Sequence, residues 1–261
     1  ISIMDEVDVA LVRTSFSTIV GETRDFAVIM LDREARSIAQ SQLSSPGFTC
    51  SLPSAIRTML KQFPVHTLRP GDALITNDPW ICHGHLPDFI ISMPIFVCGQ
   101  VAAFLAAAAH IPDIGGRLDE FDARDVYEEG LRIPPSKLFE EGQRNQQFFS
   151  ILEANTRYPR MVVGDVEAIV GAFRVGAQRY QELAEDYRPG ELDRVAEEIL
   201  ERSEVAMRQA IGRIPNGRYR HTVQADGYKR PTTIQALVEV NEDSIRIDYS
   251  GSSDERDDAS I

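Results

Sequence analysis

At 261 residues, with 43% hydrophobic and 26% charged side chains, the chain has the composition of a globular protein with enough apolar surface for a sizeable core. Asp plus Glu number 40 against 27 Lys plus Arg, and the resulting formal charge of −13 opposes a phosphate-backbone partner and excludes nucleic acid as the expected ligand. No apolar run approaches the roughly 18 residues that span a bilayer, and the start, ISIMDEVDVA, carries no basic-then-apolar leader, so a cytoplasmic protein without a membrane segment is expected.

Ile3, Val7, Ala10, Leu11 and Thr14 recur at helical spacing and predict an amphipathic helix over 3–18. Phe26 to Leu31 is a continuous apolar run, read as a buried strand that returns through Asp32-Arg33-Glu34 into Ser37-Ile38-Ala39 as a hairpin. Ser51 to Phe63 reads as a helix entered through Ser and Pro and stopped by Pro64. Pro70-Gly71-Asp72 then turns the chain into a strand over 73–76, which delivers Asn77-Asp78-Pro79-Trp80. Asn77 and Asp78 either form an Asx turn before the proline or supply, in Asp78, a carboxylate that orients a neighbouring ligand.

The chain is organised around the next stretch, which holds two near-copies of one phrase, His85-Leu86-Pro87-Asp88 and His110-Ile111-Pro112-Asp113. Between them, Asp88 to Val97 and Val101 to Ala109 are apolar and are separated by Gly99-Gln100, the pattern of a hairpin. A turn there, with 98 opposite 101, places Asp88 opposite Ile111, one residue from His110. His85, Asp88 and His110 then converge as a candidate open site for a divalent metal, because imidazole and carboxylate together suit Zn2+, Fe2+ or Mn2+. A His and an Asp three residues apart serve equally as a hydrogen-bonded pair. Pro87 and Pro112 exclude a continuous helix through either phrase and put the polar groups on stiff segments at strand ends. Pro94 confines the first strand to an edge or a bulge, and the alanines of the second are compatible with a short helix. Cys50, Cys82 and Cys98 form no disulfide framework; Cys82 reads as a small buried thiol or as a thiolate beside His83 and His85.

Beyond the site, Gly115-Gly116 marks either a tight turn or a close approach to a ligand. Asp119, Glu120, Asp122, Asp125, Glu128 and Glu129 read as a solvated acidic loop closed by Leu131-Arg132-Ile133-Pro134-Pro135. Helical spacing returns over 150–155, 163–180 and 190–211, the last stopped by Gly212 and Pro215. From Arg213 the signals are β, with a hairpin of Thr233 to Val240 and Ser244 to Tyr249. The expectation is an α+β fold: mixed or antiparallel hairpins carry the site, with helices packed to one side. Residues 1–185 are read as the metal-site core, 186–212 as a helix, and 213–261 as a β-rich segment that begins a further, truncated region.

Several phrases together carry a family resemblance. They are Arg13-Thr14-Ser15-Phe16-Ser17, Arg24-Asp25-Phe26, Thr76-Asn77-Asp78-Pro79, His85-Leu86-Pro87-Asp88, His110, Asp113-Ile114-Gly115-Gly116, Glu129-Gly130-Leu131-Arg132-Ile133-Pro134-Pro135, Gly164-Asp165, Ile214-Pro215-Asn216-Gly217 and Asp248-Tyr249-Ser250-Gly251. The chain resembles the B-subunit family of ATP-dependent hydantoinases and oxoprolinases, which also contains the α subunit of acetone carboxylase and a related acetophenone carboxylase subunit. Members are typically much longer, so the likeness is to an N-terminal portion without the later glycine-rich region. Cys82-His83-Gly84 replaces the family's usual Gly-Gly-Thr, and Ile111 stands where a second His often follows the one matched by His110.

The resemblance implies that His85, Asp88 and His110 hold a divalent metal, as their counterparts do in the carboxylase relatives. It implies a partner A-type subunit that uses ATP to phosphorylate the substrate's carbonyl oxygen, and a hetero-oligomer in which this subunit completes the chemistry. Asp78, His83 or Asp113 would accept a proton or orient a ligand imidazole. No G-x-x-x-x-G-K-[ST] phrase occurs, consistent with ATP binding on the partner. The leading expectation is a cyclic amidase subunit opening hydantoin-like or 5-oxoproline-like rings. The alternatives are a carboxylase subunit acting on a small ketone and a non-catalytic interaction subunit.

Overall fold

The computed structural model describes residues 2–82, 84–117, 123, 125–188, 190–227 and 230–254. The chain divides into two compact units, one of residues 1–118 and 126–194, the other of 119–125 and 195–261.

In the first unit, helix α1 (Ser2–Thr14) and a π-helical turn (Ile19–Thr23) lead into β1 (Phe26–Asp32) and β2 (Ser37–Gln40). The short α2 (Pro46–Thr49) and α3 (Leu52–Gln62) follow, then β3 (Ala73–Thr76), β4 (Asp88–Val97) and β5 (Gln100–His110). A single-turn α4 (Val126–Glu129), β6 (Ser136–Glu140), β7 (Gln143–Arg144), α5 (Gln146–Asn155) and the long α6 (Pro159–Glu185) complete it, before α7 (Glu191–Ile211). The strands form one antiparallel sheet in the order β2-β1-β5-β4-β3-β6-β7. The architecture is α+β, as its sequence implies.

Helices cover both faces of this sheet rather than one. The reason lies in β1, which is buried at every position, and in β5, buried through Ala109 from Ala103 onward. Because side chains alternate along a strand, Ala103, Leu105, Ala107 and Ala109 pack with α1 (Met4, Val7, Leu11) and α6 (Val166, Ile169, Phe173). Phe104, Ala106 and Ala108 pack on the other side with Leu52, Ile56 and Met59 of α3. The alanines of β5 are therefore a central strand whose small side chains admit a helix on each face. Pro94 sits where β3 has already ended, since β3 pairs with β4 only between Leu74–Thr76 and Ile90–Ser92, so a missing N–H is tolerated on that side.

The hairpin turns at Cys98-Gly99, one residue earlier than the sequence suggested. Both residues have positive φ, 50° and 77°, the requirement of a type I′ turn, whose twist matches that of the strands. In the second unit, β8 (Gly217–Ala225), β9 (Thr232–Asn241) and β10 (Ser244–Asp248) form an antiparallel sheet in the order β10-β9-β8, and the β9–β10 hairpin follows the sequence expectation. Among the described residues, no helix is long and apolar enough to cross a membrane.

Two glycines of α6 separate propensity from packing. A Cβ at Gly171 meets nothing, so Gly171→Ala is expected to stabilise by about 0.5–1 kcal/mol. At Gly176 it would strike Val7 Cγ2 and crowd Leu105, and the overpacking cost of about 1–3 kcal/mol outweighs the helix gain. Urea denaturation should move the two midpoints in opposite directions; equal stabilisation by both alanines would contradict the packing of α1 on α6.

Candidate metal centre

The position of Asp88 and His110 follows from strand register. At its tip the β4–β5 hairpin pairs Val97 with Gln100 and Phe96 with Val101, a register that would set Asp88 opposite Ala109. Ala102 is then left over as a bulge, and from Ile95↔Ala103 onward the register is shifted by one, so Asp88 lies directly opposite His110. Directly opposed residues share a face, whereas a one-residue slip sends them to opposite faces. The sequence-based register, with Asp88 opposite Ile111, would have separated the two side chains; the earlier turn and the bulge together unite them. Both project on the α3 side of the sheet, the side of Ile90 and Ala108.

His85 reaches the same place from a tight turn in which Asp88 N–H donates to the His85 carbonyl at 3.0 Å. Gly84, at φ 77°, is required there, because a Cβ would collide with Asp88 Oδ2. The next residue is clamped from two directions: Leu86 N–H donates to Glu129 Oε2 at 3.1 Å, and Asn77 Nδ2 donates to the Leu86 carbonyl at 2.7 Å. Asn77 Oδ1 in turn accepts from Ile133 N–H at 2.6 Å. Ile111 N–H donates to the Pro87 carbonyl at 2.9 Å, which ties the two His-x-Pro-Asp phrases together.

His85 Nε2 and His110 Nδ1 stand 3.2 Å apart, and Asp88 Oδ1 lies 3.3 Å from His110 Nδ1 and 3.7 Å from His85 Nε2. Ligand atoms held at about 2.0–2.2 Å by a common ion, at tetrahedral or octahedral angles, are separated by about 3–3.5 Å, so the triangle fits a first-row divalent cation. The donor set, two imidazoles and a carboxylate, suits zinc, iron or manganese. Asp88 Oδ1 is also buried and accepts no hydrogen bond from the described residues. An imidazole pair with no cation would leave that carboxylate oxygen desolvated and uncompensated, which is costly.

A further carboxylate escaped the sequence reading. His110 N–H donates to the Asp25 carbonyl at 3.0 Å, and Asp25 Oδ2 lies 4.0 Å from His110 Nδ1, on the open side of the site. Its signal is the pairing of β1 with β5, a contact between segments far apart in the chain. Asp78 and Asp113 are engaged otherwise. Asp78 Oδ1 accepts from Trp80 N–H at 3.1 Å in an Asx turn, and Oδ2 takes Arg132 Nη2 at 2.6 Å and Nε at 3.2 Å. Asp113 receives Gly115 N–H at 3.1 Å, Arg157 Nη1 at 2.8 Å, Tyr158 N–H at 3.3 Å and Arg157 N–H, so it knots the 113–116 turn to the segment before α6. His83 lies outside the described residues. Cys82 donates its thiol to Ser51 Oγ at 3.4 Å and packs against the α3-side core. Glu129, expected on a solvated acidic loop, is buried and braces the site, while Glu128 pairs with Arg117; of the same loop, residues 119, 120 and 122 lie outside the described residues.

The family model for hydantoinase B/oxoprolinase matches residues 1–259. The chain belongs to the hydantoinase B/oxoprolinase family. A candidate B-type subunit of a D-/L-hydantoinase from Pseudomonas sp. (strain NS671) is 32% identical over 256 residues, covering 93% of this chain and 43% of that protein. Among solved structures, the ATP-dependent caprolactamase of Pseudomonas jessenii aligns with a TM-score of 0.88 at 28% identity, over 94% of this chain and 43% of that one. A nucleotide-free acetone carboxylase shares the fold, with a TM-score of 0.84 at 17% identity over 96% of this chain and 36% of the other. This hydantoinase B chain thus spans less than half the length of the relatives it matches.

The orphaned oxygen makes Asp88→Asn diagnostic. In metal-free protein the isosteric change should leave stability within about 1 kcal/mol, since no hydrogen bond to Oδ1 is lost. Zinc at a hundredfold excess over its Kd should stabilise the parent by about 2.7 kcal/mol and the variant far less. Equal stabilisation of both, read by thermal denaturation, would remove Asp88 from any metal site.

Proposed function

We propose that the chain is the metal-dependent B-type part of a two-component, ATP-dependent cyclic amidase. The observation that carries this reading is the convergence of His85 Nε2, Asp88 Oδ1 and His110 Nδ1 within one small triangle in a hydantoinase B chain. These residues would hold one divalent ion, manganese, zinc or iron. Such an ion supplies a lowered pKa for the attacking water and polarisation of the activated carbon.

The partner in this reading is an A-type subunit that uses ATP to phosphorylate the carbonyl oxygen of a small cyclic amide, because the chain carries no phosphate-cradling loop of its own. Asp25, half-exposed and 4.0 Å from His110, is the group placed to accept a proton from water at the site. Asn77 and Glu129 fix the His85 loop through the Leu86 backbone, so the imidazole does not have to be ordered during turnover. Arg132, held by Asp78 and lying 5.1 Å over the exposed Trp80 ring, offers a cation and an aromatic face beside the strand that carries Asn77. Ring opening is favoured over carboxylation because the hydantoinase and caprolactamase relatives are 28–32% identical, whereas the acetone carboxylase likeness is one of fold.

Elemental analysis of untagged protein should find about one equivalent of metal, as a single three-residue site of this type requires. With an A-type partner, hydantoin, 5-oxoproline or caprolactam should be opened only when ATP is present and consumed. His85→Ala and His110→Ala should lose the metal and lower kcat/KM by more than the about 10–100-fold typical of residues that merely support a ligand. Ring opening without partner and ATP would overturn the two-component mechanism, and full activity in both alanine variants would overturn the site.

A further inference from the structure

We infer that Arg24 is a positioning residue for the metal centre: clamped by the buried Asp8, it holds the left-handed turn that presents the Asp25 carboxylate beside His110. This rests on the metal reading above and adds to it a device, in the connector between α1 and β1, that aims the fourth polar group of the site.

The connector is fastened along its length. Where α1 ends, the buried Asp165 of α6 accepts Phe16 N–H at 2.7 Å and Ser17 N–H at 3.1 Å through Oδ1. Ser17 Oγ then accepts Val20 N–H at 3.2 Å, and the Ser17 carbonyl accepts Gly21 N–H at 3.0 Å, as the chain enters the π-helical turn 19–23. Such turns are rare and recur at functional sites. Arg24 caps the turn at φ 55°, in the left-handed region, with its N–H on the Ile19 carbonyl, and Asp25 N–H donates to the same carbonyl at 3.2 Å. The reversal is completed as Phe26 N–H donates to the Arg24 carbonyl at 2.8 Å and β1 begins.

Glycine or asparagine would adopt this left-handed conformation with less strain. An arginine there points to a use for its side chain, and the structure gives one. Arg24 Nη1 donates to Asp8 Oδ1 at 2.8 Å, and Asp8 is 1% exposed. The other Asp8 oxygen receives only the neutral Ser41 hydroxyl, at 3.0 Å. Arg24 is thus the cation that compensates a carboxylate buried in α1, and the pair ties the backbone of residue 24 to the helix. The residue that follows is Asp25, whose carbonyl receives His110 N–H at 3.0 Å and whose Oδ2 lies 4.0 Å from His110 Nδ1. Rotation of the 24–25 peptide would break both contacts, so the Asp8–Arg24 clamp acts on the site through Asp25.

A purely structural role, in which Arg24 only neutralises Asp8, is the alternative to be separated. The test uses the full chain loaded with Co2+, whose visible absorption reports the ligand field. Four variants are compared with the parent, each checked for an unchanged circular dichroism spectrum: Asp25→Asn, Arg24→Ala, Arg24→Lys and the double change Arg24→Ala with Asp8→Asn. The double change removes the clamp without stranding a buried charge. Asp25→Asn and the double variant are expected to share one altered Co2+ spectrum and a Co2+ Kd weakened by about 10–100-fold, the range for a lost supporting group. Arg24→Lys should recover most of both. A double variant with the parent's spectrum and Kd would overturn the inference while leaving the metal site intact, and so would an Asp25→Asn variant indistinguishable from the parent. Absence of Co2+ bands in the parent itself would overturn the metal reading and this inference with it.

Discussion

The site depends on the register of one hairpin. A β-strand alternates faces with every residue, so whether Asp88 and His110 meet is a question of parity, decided by the turn at Cys98-Gly99 and by the extra residue Ala102. The turn alone would leave the two side chains on opposite faces. The bulge restores parity, and the long pairing of β5 with β1 and β4 then holds the corrected register along the buried alanines. Those alanines are small enough for helices to cover both faces, which makes the hairpin the centre of the core and gives the polar groups at its end a rigid support.

Around that end the backbone is held from several directions. Asn77 and Glu129 grip Leu86 from the β3 side, the Asp113–Arg157 knot anchors the turn after His110, and the α1–β1 connector approaches from the other neighbour of β5. Three strands, β1, β4 and β5, thereby bring polar groups to one spot although Asp25 and His110 are far apart in sequence. The one polar atom left without a hydrogen-bond donor in this arrangement is Asp88 Oδ1, at the centre of the triangle. That combination, rigid surroundings with one uncompensated anionic atom, is what a cation would complete.

Much of this was legible in the sequence. The repeated His-x-Pro-Asp phrase, the hairpin between its copies, the long helices α3, α6 and α7, and the β9–β10 hairpin are all marked by local periodicity and turn residues. What was not legible depends on contacts between distant segments or on a single dihedral angle. The turn was placed at Gly99-Gln100 because glycine signals positive φ, whereas Cys98 also adopts it. Glu129 reads as one more member of an acidic run until β4's preceding loop comes against it. Asp25 has no local mark of function, and its place is set by β1 lying beside β5. β6 and β7 are short and carry Lys137, Glu140 and Arg144, so no apolar alternation announces them.

The central claim is that two imidazoles and one carboxylate from the ends of this hairpin share an ion. X-ray absorption at the zinc edge, on protein reconstituted with one equivalent of zinc, tests it most directly. The account predicts a nitrogen and oxygen shell with the multiple-scattering signature of two imidazoles, reduced to one when His110 is replaced by alanine. A shell without imidazole scattering, or one dominated by sulfur from Cys82, would contradict it.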